Sequence, residues 1–271
     1  MSPALVLSGR GAKRVITASA PVLPYEYVLG RPERAPVVLL TGLFAGAWMW
    51  DETCTHLSAR GFGLVRLLEA LAASDETAAG MAALRAGLQV VLERLELPRV
   101  TLCGNSFGAL VALDFATHHA EAVASLVLSG APGLSPEADV GTGMPRSVRR
   151  EHVVELAQRL FYDPSRATPA MIDRTHALLS DRRHVANVVR ALRAARRYPI
   201  AEALSRVACP TLLVWGEHDR VTPGEPWKQV ARATTRAAFH AVPACGHSPM
   251  IERPREFNRI LLEFLAPGEE G

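Results

Sequence analysis

Gly104-Asn105-Ser106-Phe107-Gly108 is the stretch that decides how this chain of 271 residues folds. It follows a short apolar run at positions 100–103, typical of a buried strand, and precedes an apolar-periodic stretch at positions 109–117, typical of a helix. A serine between two glycines at such a junction indicates a strained turn, in which a Cβ at either glycine would meet neighbouring backbone. The helix behind the turn directs backbone N–H groups toward the serine. We therefore predict that Ser106 is a reactive serine on a strand-to-helix turn.

Two later segments supply the partners that a nucleophilic serine needs. Serine reacts when a base accepts its proton and a third group holds that base in the right tautomer. W-G-E-H-D-R-V-T-P at positions 215–223 offers Asp219, with Glu217 as the alternative acid, and P-A-C-G-H-S-P at positions 243–249 offers His247. Each candidate follows the carboxyl end of a predicted strand, so all three can meet at one edge of a parallel sheet.

These segments resemble the α/β-hydrolase family over nearly the full length of the chain. The resemblance implies that Ser106 is the nucleophile, His247 the general base and Asp219 the orienting acid. It also implies an oxyanion hole formed by the backbone N–H groups of Leu43 and Phe107. The matching pieces are T-G-L-F-A-G at 41–46, G-N-S-F-G at 104–108, W-G-E-H-D-R-V-T-P at 215–223 and C-G-H-S-P-M-I-E-R-P at 245–254.

Position 41 departs from the family pattern. Many relatives carry histidine before the glycine of the loop at 41–46, which we call the oxyanion loop, and this chain has Thr41. By resemblance, that histidine shapes the loop rather than taking part in the chemistry. The replacement therefore concerns the conformation of the loop and the substrate class, not the role of Ser106.

The order of apolar runs predicts an α/β fold, with a doubly wound, mostly parallel sheet as in the α/β-hydrolase fold. An edge strand is predicted at 21–29. After the strand at 123–129, helix signals replace strand signals over 147–161, 169–179 and 182–197. We interpret residues 133–204 as an inserted helical cap (lid) over the carboxyl ends of the strands, where ligands bind in open α/β sheets. The remaining core is predicted to comprise residues 1–132 and 205–271.

Aromatic side chains within and just after the oxyanion loop and at the end of a cap helix predict an apolar acyl or aromatic pocket. They are Phe44, Trp48 and Phe161, although such spacings are also typical of a protein core. Asn105, beside the nucleophile, either binds substrate or stabilises the turn.

Arginine is concentrated in the predicted cap, and Arg190, Arg193 and Arg197 recur on one face of its third helix. A solvated face explains this pattern most simply. The sharper hypothesis is that an arginine such as Arg190 binds a substrate carboxylate, or that the face docks an acidic carrier protein presenting a thioester.

Composition limits the remaining possibilities. The net charge of +3 comes without a basic tail or nucleic-acid motif, so we expect no nucleic-acid partner. No apolar stretch is long enough to span a membrane, and the first 20 residues lack a signal-peptide pattern, which predicts a cytoplasmic protein. The four cysteines are scattered and no metal-ligand spacing is present, so we expect reduced thiols and no cofactor. A monomer and a homodimer are equally compatible with the sequence.

The sequence thus favours a serine hydrolase that cleaves an ester, thioester or lactone of a small-molecule acyl substrate through an acyl-enzyme. One alternative is a carbon–carbon bond hydrolase of a ring-cleavage-type keto acid, which shares the G-N-S turn and the cap. Another is a lyase, transferase or cyclase of specialised metabolism that uses the same site, and a small-molecule receptor is the least favoured.

Overall fold

The computed structural model describes residues 5–8, 13–16, 23–67, 80–134 and 148–268. Its strands are β1 (Leu5–Ser8), β2 (Lys13–Ile16), β3 (Tyr25–Val28), β4 (Val37–Leu40), β5 (Leu64–Leu67), β6 (Val100–Asn105), β7 (Val123–Ser129), β8 (Thr211–Gly216) and β9 (Ala237–Val242). Within the described residues they form one sheet in the order β1-β2-β3-β5-β4-β6-β7-β8-β9. The pairs β1–β2, β2–β3 and β3–β5 are antiparallel and the other five are parallel, which confirms the predicted mostly parallel sheet.

Helices cover both faces of this sheet. They are α1 (Asp51–Ser58), α2 (Met81–Arg94), α3 (Phe107–His118), α4 (Arg150–Leu160), α5 (Pro169–Ser180), α6 (Arg182–Arg197), α7 (Ile200–Ser205), α8 (Glu225–Arg232), α9 (Pro249–Glu252) and α10 (Pro254–Leu265). Along β4, Val38 and Leu40 pack in a core with α2 and α3, whereas Val37 and Leu39 pack in a second core with α1 and α10. Because side chains alternate along a strand, the two cores lie on opposite faces, and β4 is apolar throughout.

The four helices α4 to α7 lie between β7 and β8 and form the inserted helical cap. Helices α4 and α5 share a small core of their own, in which Val153, Ala157, Ile172 and Leu179 are buried and Phe44 of the oxyanion loop packs against them. The cap therefore rests on the loop that follows β4. The precise boundaries at residues 133 and 204 stay a prediction, since residues 135–147 lie outside the described part and α7 extends across position 204.

One strand takes a different place from the one predicted. The edge strand expected at 21–29 is β3, and it lies inside the sheet between β2 and β5. Strands β1 and β2 have four residues each, too few for their apolar pattern to be distinguished from that of a loop.

Candidate active site

Ser106 occupies the predicted turn between β6 and α3. Its backbone has φ 56° and ψ −123°, a strained conformation for a residue with a side chain. A Cβ on Gly104 would lie 2.5 Å from the carbonyl oxygen of Gly108, and a Cβ on Gly108 would clash with the carbonyl oxygen of Leu40. The Ser106 N–H donates to the Ser129 carbonyl of β7 at 2.8 Å, which anchors the turn to the neighbouring strand.

Asp219 and His247 follow β8 and β9 and meet behind this turn. The His247 Nδ1 lies 2.9 Å from Asp219 Oδ2, and both side chains are almost fully buried. Since a carboxylate only accepts, Nδ1 carries the hydrogen and Nε2 is the acceptor. His247 and Ser106 line the same pocket, and serine chemistry requires the base to lie within reach of the hydroxyl. Glu217, the alternative acid, is exposed.

The environment of Asp219 keeps its carboxyl ionised. Burial raises its pKa, but the charge of His247, its hydrogen bond and the hydrogen bonds from Thr222 outweigh burial and hold the pKa below its usual value. The N–H groups of Val221 and Thr222 donate to Oδ1 at 2.9 Å each, and the Thr222 hydroxyl donates to Oδ2 at 2.9 Å. The carboxylate is therefore fixed in one orientation toward the imidazole.

Glu252 of α9 orders the segment that carries His247, which we call the base loop (residues 243–248). This carboxylate is 2% exposed and accepts hydrogen bonds from the Gly246 N–H at 2.9 Å and the Tyr162 N–H of the cap at 2.7 Å. Burial raises the pKa of Glu252, against the opposing effect of these backbone donors. The His247 N–H also donates to the carbonyl of Leu160 at 2.7 Å. The sequence did not predict these contacts between the base loop and the cap, because their partners are far apart along the chain. Glu252 and Tyr162, for example, are 90 positions apart.

Asn105 connects the nucleophile strand to the base loop. Its side-chain nitrogen donates to the carbonyls of Ser129 at 3.3 Å and His247 at 3.1 Å. Both N–H bonds of the amide are thus used within the protein, which favours support of the turn over substrate binding.

Leu43 and Phe107 lie beside Ser106, as an oxyanion hole requires. Both residues line a small cavity together with Ser106 and His247. Among the described residues, no hydrogen bond outside the regular elements uses the N–H of Leu43 or of Phe107. Thr41, the residue that departs from the family pattern, is fully buried and its hydroxyl has no hydrogen-bond partner within the described chain.

The main pocket above Ser106 is mostly apolar. Of the predicted pocket residues, Phe44, Trp48, Asn105 and Phe161 line it, whereas Arg190 does not. Arg190 is exposed on α6, and its guanidinium donates to the Asn187 side chain at 2.7 Å. Cap helices supply seven of the other lining residues, namely Val153, Leu156, Ala157, Leu160, Met171, Ile172 and Thr175. The described lining contains no lysine or arginine.

We also searched the described ranges for metal-binding clusters and for membrane-spanning helices. They contain no cluster of three or more His, Cys, Asp or Glu side chains that could hold a metal ion. None of their helices is long and apolar enough to cross a membrane.

Residues 37–260 match the model of the alpha/beta hydrolase family, a range that includes Ser106, Asp219 and His247. The chain belongs to this family. Curated relatives of this α/β-hydrolase include 2-hydroxy-6-oxononadienedioate/2-hydroxy-6-oxononatrienedioate hydrolase 2 of Pseudomonas putida, 32% identical over 190 residues. That alignment covers 66% of each protein, slightly less than two thirds of the relative's length. The hydrolase of the same name, without the final number, from Paraburkholderia xenovorans strain LB400 is 28% identical over 250 residues, 85% of this chain and 86% of that protein.

Solved structures show the same fold. A meta-cleavage product hydrolase from Pseudomonas fluorescens IP01 gives a TM-score of 0.69 at 21% identity, covering 90% of this α/β-hydrolase and 95% of that chain. A membrane phospholipase A, described as a bacterial virulence factor, gives a TM-score of 0.76 at 25% identity, covering 92% of this chain and 84% of that one.

Proposed function

We propose that this α/β-hydrolase cleaves a carbon–carbon bond beside a ketone in a ring-cleavage-type keto acid, with Ser106 as nucleophile. The observation that carries the proposal is the meeting of Ser106, His247 and Asp219 in a chain whose curated relatives are named for hydrolysing 2-hydroxy-6-oxononadienedioate. Such a compound contains no ester, so its hydrolysis has to break a carbon–carbon bond. These relatives support this reaction better than the ester, thioester or lactone hydrolysis favoured by sequence alone.

The geometry suits each step of that reaction. Ser106 Oγ bonds to the ketone carbon while its proton passes to His247 Nε2, and the N–H groups of Leu43 and Phe107 stabilise the oxyanion. The carbon–carbon bond then breaks, its electron pair leaves with the conjugated fragment, and His247 returns the proton to that fragment. Water, deprotonated by His247, attacks the acyl-enzyme and releases a carboxylic acid and free Ser106. Asp219 stabilises the imidazolium in both halves.

The lining of the pocket indicates which group the ketone of the substrate carries. In the compounds for which the relatives are named, that end of the molecule is a second carboxylate. A dienedioate has a carboxylate at both ends, and a buried carboxylate needs a cation or several hydrogen-bond donors. Here the described lining is mostly apolar and holds no lysine or arginine, and the cap contributes Val153, Met171 and Ile172. We therefore propose a substrate whose ketone bears an alkyl or aryl group in contact with these side chains, and whose one remaining carboxylate lies outside this lining.

Ester hydrolysis is the second candidate, and the same apolar lining favours it. An acyl chain or aromatic acid would fit against Phe44, Trp48 and Phe161 and leave its carbonyl beside Ser106. The catalytic groups would take the same roles, with an alkoxide in place of the conjugated carbon fragment.

A substrate comparison tests the proposal. The specificity constant kcat/KM would be measured for 2-hydroxy-6-oxo-dienoates whose ketone carries methyl, phenyl or a carboxylate-ended chain, and for p-nitrophenyl esters of matching acyl groups. We expect the ketones to be cleaved faster than the esters, and methyl or phenyl to exceed the carboxylate-ended chain at least about tenfold. Rapid ester turnover with intact ketones would replace the first proposal by the second.

A further inference from the structure

The cap holds the oxyanion loop through two side chains that no sequence pattern marked. His184 of α6 is 2% exposed, and its Nε2 lies 3.2 Å from the carbonyl oxygen of Leu43. Since a carbonyl only accepts, Nε2 carries the hydrogen and donates it. The hydroxyl of Thr175 on α5 donates to the next carbonyl, that of Phe44, at 3.1 Å. Two successive peptide groups of the loop therefore point into the cap.

Among the described residues, no other side chain donates a hydrogen bond to the carbonyl groups of Leu43 and Phe44. The hydroxyl of Thr41 is buried without a hydrogen-bond partner in the described chain, so its side chain does not fix the loop. Gly42 lies against the nucleophile, since a Cβ added there would be 3.2 Å from the Cβ of Ser106. Because Leu43 follows Gly42 directly, a displacement of Leu43 would change the position of its N–H relative to Ser106.

The environment of His184 suits a fixed, neutral donor. Its Nδ1 is buried and has no hydrogen-bond partner in the described chain, so a second proton there would be unsatisfied. Burial lowers the pKa of His184, although the bond to Leu43 and the charge of Asp181 oppose this effect. His184 does not line the main pocket or the small cavity beside Ser106, which separates it from the reacting atoms.

We propose that His184 is a positioning residue that, together with Thr175, sets the oxyanion loop in its active conformation from the cap. The inference rests on the proposed role of Ser106 and of the Leu43 N–H. Its consequence is that the oxyanion hole is complete only while α5 and α6 are seated on the loop. The cap then contributes to the chemical step as well as to substrate binding.

Phosphonylation of Ser106 tests this without knowledge of the substrate, because a small alkyl fluorophosphonate also places its P=O oxygen in the oxyanion hole. The second-order labelling rate constant would be measured by intact mass for wild type, His184→Leu, His184→Gln and Thr175→Val. We expect His184→Leu and Thr175→Val to react at least about tenfold more slowly, because a misplaced donor weakens stabilisation of the oxyanion. His184→Gln retains an N–H donor and should recover part of the rate.

His176→Leu is the matched control. Its Nε2 lies 3.2 Å from the carbonyl of Val148, a bond of the same kind that stays within the cap and does not reach the oxyanion loop. We expect it to label at the wild-type rate. Urea unfolding of every variant separates slower labelling from loss of folded protein, and the isosteric Thr175→Val carries the test if His184→Leu does not fold.

The outcomes distinguish the two proposals. Folded His184→Leu and Thr175→Val proteins that label as fast as wild type would overturn the positioning role and leave the proposed function intact. A wild-type protein that takes no label would overturn the proposed nucleophile and, with it, this inference. In turnover assays, a positioning role predicts a lower kcat with little change in KM for His184→Leu, since His184 does not line the pocket.

Discussion

At the residue scale, the proposed mechanism depends on an ionised Asp219 whose carboxylate faces His247. Two backbone N–H groups and one hydroxyl hold its carboxylate, and its Oδ2 lies 2.9 Å from the imidazole Nδ1. An amide at this position would keep the shape but present either an N–H to another donor or a weaker acceptor to Nδ1. The imidazole would then lose its counter-charge, and an amide N–H facing Nδ1 would also reverse its tautomer.

Asp219→Asn should therefore lower kcat by roughly 10⁴-fold while the protein stays folded. Steady-state kinetics on the best substrate found, with circular dichroism as the folding check, measures this. Glu217→Gln is the control, since Glu217 is exposed two positions away and should retain wild-type activity. The opposite pattern, with Glu217→Gln inactive, would move the role of the acid to Glu217.

The same carboxyl predicts a pH dependence of stability. Its pKa is lowered in the folded protein, so as pH falls the unfolded chain takes up this proton first and the free energy of unfolding decreases. Between about pH 5 and about pH 3, wild type should lose more stability than Asp219→Asn, which lacks this titration. Urea unfolding of both proteins across that range gives the difference. Parallel curves would contradict the lowered pKa.

At the element scale, the short helix α9 connects the base loop to the cap. Glu252 ends this helix, and its two oxygens accept from Gly246 on one side and Tyr162 on the other. Gly246 itself has no room for a side chain, because a Cβ would clash with the carbonyl oxygen of Leu160. The base loop and the segment after α4 are therefore packed backbone against backbone.

Glu252→Gln should weaken the contact between the base loop and the cap. The NH2 group of the amide cannot accept a hydrogen bond, so either the Gly246 N–H or the Tyr162 N–H loses its acceptor. We expect a loss of about 1–3 kcal/mol in the free energy of unfolding, together with a lower kcat/KM. Denaturant unfolding and kinetics measure the two effects. Glu263→Gln, an exposed change on α10, should alter stability by less than about 0.5 kcal/mol. Equal stability of the two variants would mean that the buried carboxylate does not hold the loops.

The sequence predicted the elements that bear Ser106, Asp219 and His247, because each of these residues follows a strand with a recognisable apolar run. It also predicted the helices at 169–180 and 182–197 almost to the residue, from their apolar period. It did not reveal Glu252 or His184 as supports of the site. Their partners are backbone atoms up to 141 positions away, and such contacts leave no local pattern.

At the scale of the whole molecule, the pocket lies between the sheet and the cap, so the cap sets its shape. Ala157 on α4 is 8% exposed and lines the pocket, whereas Val154 on the same helix is 36% exposed and points away from it. A large side chain at position 157 should reduce the pocket volume, whereas one at position 154 adds the same bulk to α4 outside the pocket.

Ala157→Trp should fill part of the pocket and raise KM for substrates with a phenyl group at least about tenfold, while Val154→Trp should not. Labelling by a small fluorophosphonate should stay close to wild type in both. Kinetics on phenyl and methyl substrates, with thermal unfolding as a check on α4, gives the comparison. If Ala157→Trp leaves the KM for the phenyl substrate unchanged, the phenyl group does not bind beside residue 157.

The most direct test of the central claim, that Ser106 is an activated nucleophile in this fold, is intact mass after treatment with a fluorophosphonate. Wild type should gain one adduct, located on Ser106 by peptide mapping, and Ser106→Ala should gain none. A single adduct on both proteins, or none on either, would contradict the assignment of Ser106 and the hydrolytic mechanism built on it.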